Sequence, residues 1–138
     1  MKMRVMYFSS NKQFKTYAEA IGQACNCLVN DIPPAYPADN EKLVLIGISS
    51  KGKLDDKVRR FASELIPSRS KNVALFIDGS PDSDAEKELK NILINAGTNY
   101  IDEPYFVKCG IFGSKISLEN RQDIVDWARK IQDIALNK

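Results

Sequence analysis

Three polar stretches, each directly after an apolar run, hold the residues that could do chemistry. Ser9-Ser10-Asn11-Lys12-Gln13 follows MRVMYF, Ser49-Ser50-Lys51-Gly52 follows LVLIGI, and Asp78-Gly79-Ser80 follows NVALFI. Hydroxyls, carboxamides and lysines between a strand and a helix can form an anion site, because the helix N-terminus adds its own N–H groups and dipole. Histidine is absent from the chain. Its absence removes Ser-His-Asp and Cys-His nucleophiles, His-ligated zinc and imidazole acid–base catalysis. Cys25, Cys27 and Cys109 are an odd number without a C-x-x-C pair, so neither a disulfide framework nor a dithiol motif is expected. They read as small hydrophobes, although Cys109, beside Lys108 and two glycines in VKCGIFGSK, could also be a thiol of lowered pKa.

The elements that must position these loops follow from periodicity. Met3 to Phe8, Leu43 to Ile48 and Asn72 to Ile77 are near-continuous apolar runs, as expected of strands covered on both faces. Cys27 to Ile32 and Tyr100 to Lys108 are more polar and read as outer strands, with Pro104 at an edge or bulge. Helical spacing links Phe14, Tyr17, Ala18, Ile21 and Cys25, then Leu54, Val58, Phe61, Ala62 and Leu65, then Ala85, Leu89, Ile92, Leu93 and Ala96. A last helix over about Ser117 to Leu136 puts Ile124, Ala128, Ile131 and Ala135 on one stripe. Pro67 predicts an end at Ile66 for the second helix, while Ser83 and Glu86 predict a capping box for the third and Gly97 its stop. Ser9 or Ser10 could cap the first helix, and Ser80 could cap the third with Pro81 at its first position. IPPAYPADNEK, with three prolines, replaces a crossover helix by an extended or short helical link.

The order β-α-β-(short)-β-α-β-α-β-α predicts one α/β domain over residues 1–138, a three-layer sandwich around a mostly parallel sheet. Ligands of such sheets bind beyond the carboxyl ends of the strands. The 20 basic and 18 acidic residues are too balanced to indicate nucleic acid or a membrane surface, and no apolar stretch reaches the ~20 residues of a membrane span. A cytoplasmic protein is the expectation.

YFSSNKQFKTYAEAIG, LVLIGISSKG, NVALFIDGSPDSDAEKELKNILINAG and ENRQDIVDWARKI together cover most of the chain. In their order and loop positions they resemble the flavodoxins. The resemblance implies a five-stranded parallel sheet of order 2-1-3-4-5, bound FMN, electron transfer and a redox protein partner. It places the FMN phosphate at Ser9, Ser10, Asn11, Lys12 and Gln13, and the ring between Ser49, Ser50, Lys51, Gly52 and Asp78, Gly79, Ser80. Against the family's T-x-T-G-x-T loop, Ser9 keeps the first hydroxyl, Asn11 replaces the second, and Lys12 stands for glycine. Phe14 stands for the last hydroxyl, and neither ring loop contains an aromatic residue. Lys12 and Lys15 could compensate by pairing with a phosphate. The alternative is a flavin-free module of the same fold that binds a protein partner or another anion. Lys51, Lys53, Lys57, Arg59 and Arg60, together with Lys12 and Lys15, would form a basic rim on the ligand edge that favours an anionic ligand or an acidic partner. A phosphoryl-relay role, as in receiver domains, is rejected because serines stand where its acidic residues are needed; Asp55, Asp56, Asp82 and Asp84 read as helix first-turn residues.

Overall fold

The three apolar runs form the centre of a parallel sheet. In the computed structural model, which describes residues 2–110 and 113–137, β1 (Met3–Phe8), β3 (Glu41–Ser49) and β4 (Ser70–Asp78) lie side by side. β2 (Leu28–Asp31) pairs with β1 at one edge. At the other edge β5 (Asn99–Tyr100) and β6 (Tyr105–Val107) both pair with β4. All pairings are parallel, and the order is β2-β1-β3-β4-β5 with β6 further along the same side of β4.

Five strand positions were expected and five are present, but the fifth is split in two. β5 faces Asn72 and Val73, β6 faces Phe76 to Asp78, and the chain leaves the ladder between them. Pro104 has no N–H to give a ladder there. The excursion is held from both sides: Lys90 bonds to Asp102 at 2.9 Å, Lys130 pairs with Glu103 at 2.6 Å, and the indole N–H of Trp127 donates to the Glu103 carbonyl at 2.7 Å.

Strand alternation feeds two cores. Val5, Tyr7, Leu43, Leu45, Ala74 and Phe76 face α1 (Lys12–Cys25) and α4 (Leu118–Leu136). Met6, Val44, Ile46, Val73, Leu75 and Ile77 face α2 (Asp56–Ser63) and α3 (Asp84–Ala96). This gives the three layers expected, because a sheet buried on both faces must be apolar at every position. α3 begins at the Ser83 cap and stops at Gly97, as the sequence indicates.

α2 ends earlier than Pro67 suggested. Glu64 N donates to Phe61 O at 3.2 Å and Leu65 N to Ala62 O at 3.1 Å, so the last turn tightens to i→i−3 bonds before the proline is reached. The proline-rich link after β2 is not helical. Its backbone is tied down by Arg4, whose guanidinium donates to the Tyr36 carbonyl at 3.0 Å and to Asn30 Oδ1 at 2.9 Å.

Candidate functional site

The loops after β1 and β3 and the end of β4 enclose a cavity of about 370 Å³. Its polar lining is Ser9, Ser10 and Asn11 from the first loop, Ser49, Lys51, Lys53 and Asp55 from the second, and Asp78 at the end of β4. The sequence-predicted residues Ser9, Ser10, Asn11, Ser49, Lys51 and Asp78 are therefore brought together. Lys12, Gln13, Ser50, Gly52, Gly79 and Ser80 are not on this wall. Lys53, expected only as part of the basic rim, and Asp55, expected only as a helix first-turn residue, also stand on this wall.

The first loop is closed on itself. Asn11, not Ser9 or Ser10, caps α1: its Oδ1 accepts the N–H groups of Gln13 at 2.9 Å and Phe14 at 3.2 Å. Ser9 Oγ instead accepts the Asn11 N–H at 3.1 Å, one step earlier in the turn. The other end of the Asn11 carboxamide donates to the Gly110 carbonyl at 3.1 Å, and the Gly110 N–H donates to Gln13 Oε1 at 2.8 Å. The carboxamide oxygen thus takes two of the helix N–H groups that an anion would need.

Phe14 explains why the loop lacks its last hydroxyl. The side chain is fully buried and stacks on Phe76 with ring centroids 5.1 Å apart. Gly47 leaves the space for both rings, since a Cβ there would stand 2.5 Å from Phe76 and 2.8 Å from Phe14. Position 14 belongs to the core.

The second and third loops are stitched together. Both the backbone N–H and the hydroxyl of Ser50 donate to the Asp78 carbonyl, at 2.9 and 3.0 Å. Gly79, at φ +131°, is bound through its N–H to Val107 O at 3.0 Å, and a Cβ on it would run into Ser50 Oγ. Gly52 has φ +73° and faces open space. Ser80 is exposed and caps nothing: Asp82 at φ +62° extends the turn, so that Ser83 becomes the cap and accepts the Glu86 N–H at 3.2 Å. Glu86 reaches back to the Asp82 N–H at 2.8 Å, which completes the expected box one residue early.

The charges around the cavity divide into free and spent. Asp55 caps α2 by accepting the Lys57 N–H at 2.8 Å, and Asp56 sits in its first turn. Arg59 leaves the expected rim: it pairs with Asp56 and Glu88, each at 2.6 Å. Lys51 and Lys53 are exposed on the cavity wall. Cys109 is not a low-pKa thiol, for burial, and then the neighbouring Asp78 carboxylate, push it up to about 12. Ile111 and Phe112 of the same motif lie outside the described residues. Cys25 and Cys27 are free and half-buried, and burial raises both, Cys27 to about 12. Among the described residues no group of acidic, cysteine or histidine side chains could hold a metal ion, and no helix is long and apolar enough to cross a membrane.

Neither a protein-family comparison nor a search of curated proteins gives a match to this sequence. Solved structures do match. The chain superposes on oxidised flavodoxin 2 from Bacillus cereus with a TM-score of 0.68 over 96% of its length and 99% of that protein, at 12% identity. A short-chain flavodoxin associated with a non-canonical PDU bacterial microcompartment gives 0.71 over 98% and 99%, at 12% identity. A flavodoxin from the domain Archaea gives 0.63 over 96% and 99%, at 17% identity. The chain has the flavodoxin fold. At these identities the likeness establishes architecture, and the ligand must be argued from the site.

FMN held in the flavodoxin manner does not fit the residues present. The Asn11 carboxamide takes the place of a phosphate oxygen on Gln13 N and Phe14 N, and Gly110 holds it there. Ser50 fills the gap over Gly79 between the two ring loops, and residues 49–53 and 78–83 offer no aromatic face for stacking.

Proposed function

We propose that the protein is a flavin-free binding module of the flavodoxin fold, and that a small anionic ligand occupies the cavity between Ser9, Ser49, Lys51 and Lys53. One observation carries this reading: the helix N-terminus is satisfied by Asn11, while the cavity beside it keeps donors. Ser9 Oγ and Ser49 Oγ each accept a backbone N–H, from Asn11 at 3.1 Å and Lys51 at 3.2 Å, which leaves both hydroxyl protons available to a ligand. Lys51 and Lys53 line the same cavity. Asp78 is 9% exposed and lies on the same wall, which favours a compact anion held from the lysine side over an extended polyanion. A cytoplasmic setting belongs to this proposal, in keeping with three free cysteines.

A second reading, FMN binding with electron transfer to a redox protein partner, is favoured by the position of the cavity beyond β1, β3 and β4, where the strand order reverses. In that case the redox chemistry is the cofactor's, and Asn11 must release Gln13 N and Phe14 N before a phosphate is held.

Titration with FMN, followed by flavin fluorescence, and with inorganic phosphate, followed by amide NMR shifts, separates the two. The flavin-free reading expects no quenching at high micromolar FMN. It also expects phosphate-dependent shifts at Ser9, Ser49 and Lys51 that are lost in Lys51→Ala/Lys53→Ala. Saturable FMN quenching overturns it in favour of the second reading. Absence of any phosphate response in these loops removes the anion site.

A further inference from the structure

The proline-rich link and α2 enclose a second cavity, of about 160 Å³, which shares no lining residue with the first. Its walls are carbon: Pro33, Pro34, Pro37 and Ala38 from the link, Phe61 and Leu65 from the α2 side. Three cations, Lys57, Arg60 and Arg69, and one carboxylate, Glu64, complete the lining. Glu64 is drawn to Arg69 at 3.5 Å. Lys57 and Arg60 are exposed and have no carboxylate partner among the described residues. Arg59, on the same helix, is neutralised by Asp56 and Glu88, so the unpaired positive charge of α2 is concentrated at this opening.

We propose that this cavity is a docking site for an acidic segment of a partner protein, with one aliphatic or aromatic side chain inserted between the prolines and α2. Apolar cavities of about 150 Å³ accommodate a benzene-sized group. The flanking carboxylates of such a segment meet Lys57 and Arg60, so that charge complementarity selects the partner and the apolar anchor supplies affinity. The site is pre-formed. Proline fixes φ along the link, Arg4 holds the Tyr36 carbonyl, and Asn40 N donates to Ser68 O at 3.0 Å, tying the link to the turn beyond α2. A nucleic acid or an anionic lipid surface would use the cations alone and gain nothing from an apolar pocket of side-chain size. The observations favour a peptide.

The test uses the full-length, isotope-labelled protein and a blocked pentapeptide with a central leucine flanked by two glutamates on each side. Saturable amide shifts are expected at Lys57, Arg60, Phe61 and Leu65. The alanine-centred peptide should bind roughly tenfold more weakly, since the leucine side chain is the buried group. Lys57→Glu/Arg60→Glu should weaken the leucine peptide by at least about tenfold, and a lysine-flanked peptide should not bind. Arg60→Ala, a change at an exposed position, serves if the double reversal perturbs folding. Equal binding of the leucine and alanine peptides overturns the proposal, as do shifts confined to other surfaces. So does binding of phosphatidylserine vesicles or single-stranded DNA through these cations when the peptide fails to bind.

Discussion

The carboxamide of Asn11 bridges the start of α1 and the carbonyl oxygen of Gly110, 99 residues away, at 3.1 Å. One side chain therefore caps a helix, fixes the loop after β6 and occupies the donors that would face a phosphate. Replacing Asn11 separates these roles. Asn11→Ala should cost about 1 kcal/mol at the cap and Asn11→Gly only a few tenths there, and both should lose in addition about 1 kcal/mol from the bond to Gly110. Asn11→Gly should also gain affinity for inorganic phosphate, because the N–H groups of Gln13 and Phe14 are released. Thermal melts and phosphate titration of the two variants check both parts; a glycine variant that binds phosphate no better than the parent would show that Asn11 does not guard an anion site.

Ser50 and Gly79 form a second long-range pair. Gly79→Ala places a Cβ against Ser50 Oγ and demands φ +131° of an L-residue, so a loss of roughly 1–3 kcal/mol is expected. Ser50→Gly should remove the collision but not the backbone strain. A double-mutant cycle by denaturant unfolding should then give a favourable coupling while leaving Gly79→Ala/Ser50→Gly less stable than Ser50→Gly alone.

Cys109 should alkylate slowly. A thiol pushed up to about 12 is thiolate in only about one molecule in ten thousand at pH 8, far below an ordinary cysteine. Asp78→Asn removes a carboxylate that raises this pKa, so iodoacetamide labelling of the Cys109 peptide, read by mass spectrometry, should accelerate. An unchanged rate would mean that burial alone protects the thiol.

The Arg59–Glu88 pair predicts a pH dependence confined to the acid limb. Arg59 holds the Glu88 carboxyl below its ordinary value of 4.5. A depressed carboxylate contributes stability that is present above the unfolded value and lost as pH falls through the folded one. The stability difference between the parent and Glu88→Gln should therefore be flat near neutrality and shrink below about pH 4.5. Both side chains are more than a third exposed, so added salt should reduce the difference as well. A difference that persists unchanged at pH 2 would assign the effect to packing.

The sheet was legible in the sequence because burial on both faces leaves continuous apolar runs, and Ser83 with Gly97 marks α3 at both ends. The cap of α1 was less so. Ser9, Ser10 and Asn11 are all good capping residues, and which one serves depends on where β1 releases the chain. The end of α2 was misplaced because Pro67 sets only an outer limit, while the tightening at Glu64 and Leu65 reflects the need to bury Leu65. Pairs such as Ser50 with Gly79, or Gly47 with Phe14, join distant segments and have no local signature. The same holds for the cavity lined by Pro33 and Pro37: three prolines indicated an extended or short helical link, but not that it would leave a gap against α2.

The split fifth strand gives the protein a built-in gauge. Trp127 is the only tryptophan of the chain, 9% exposed, and its indole lies 6.3 Å from the Phe76 ring and 5.8 Å from the Tyr105 ring while bonding to Glu103 between β5 and β6. Its emission therefore reports on one joint, where α4 meets the sheet edge. Loosening of that edge should register optically, whereas an opening confined to the α2–α3 layer, which carries no tryptophan, should leave the emission unchanged.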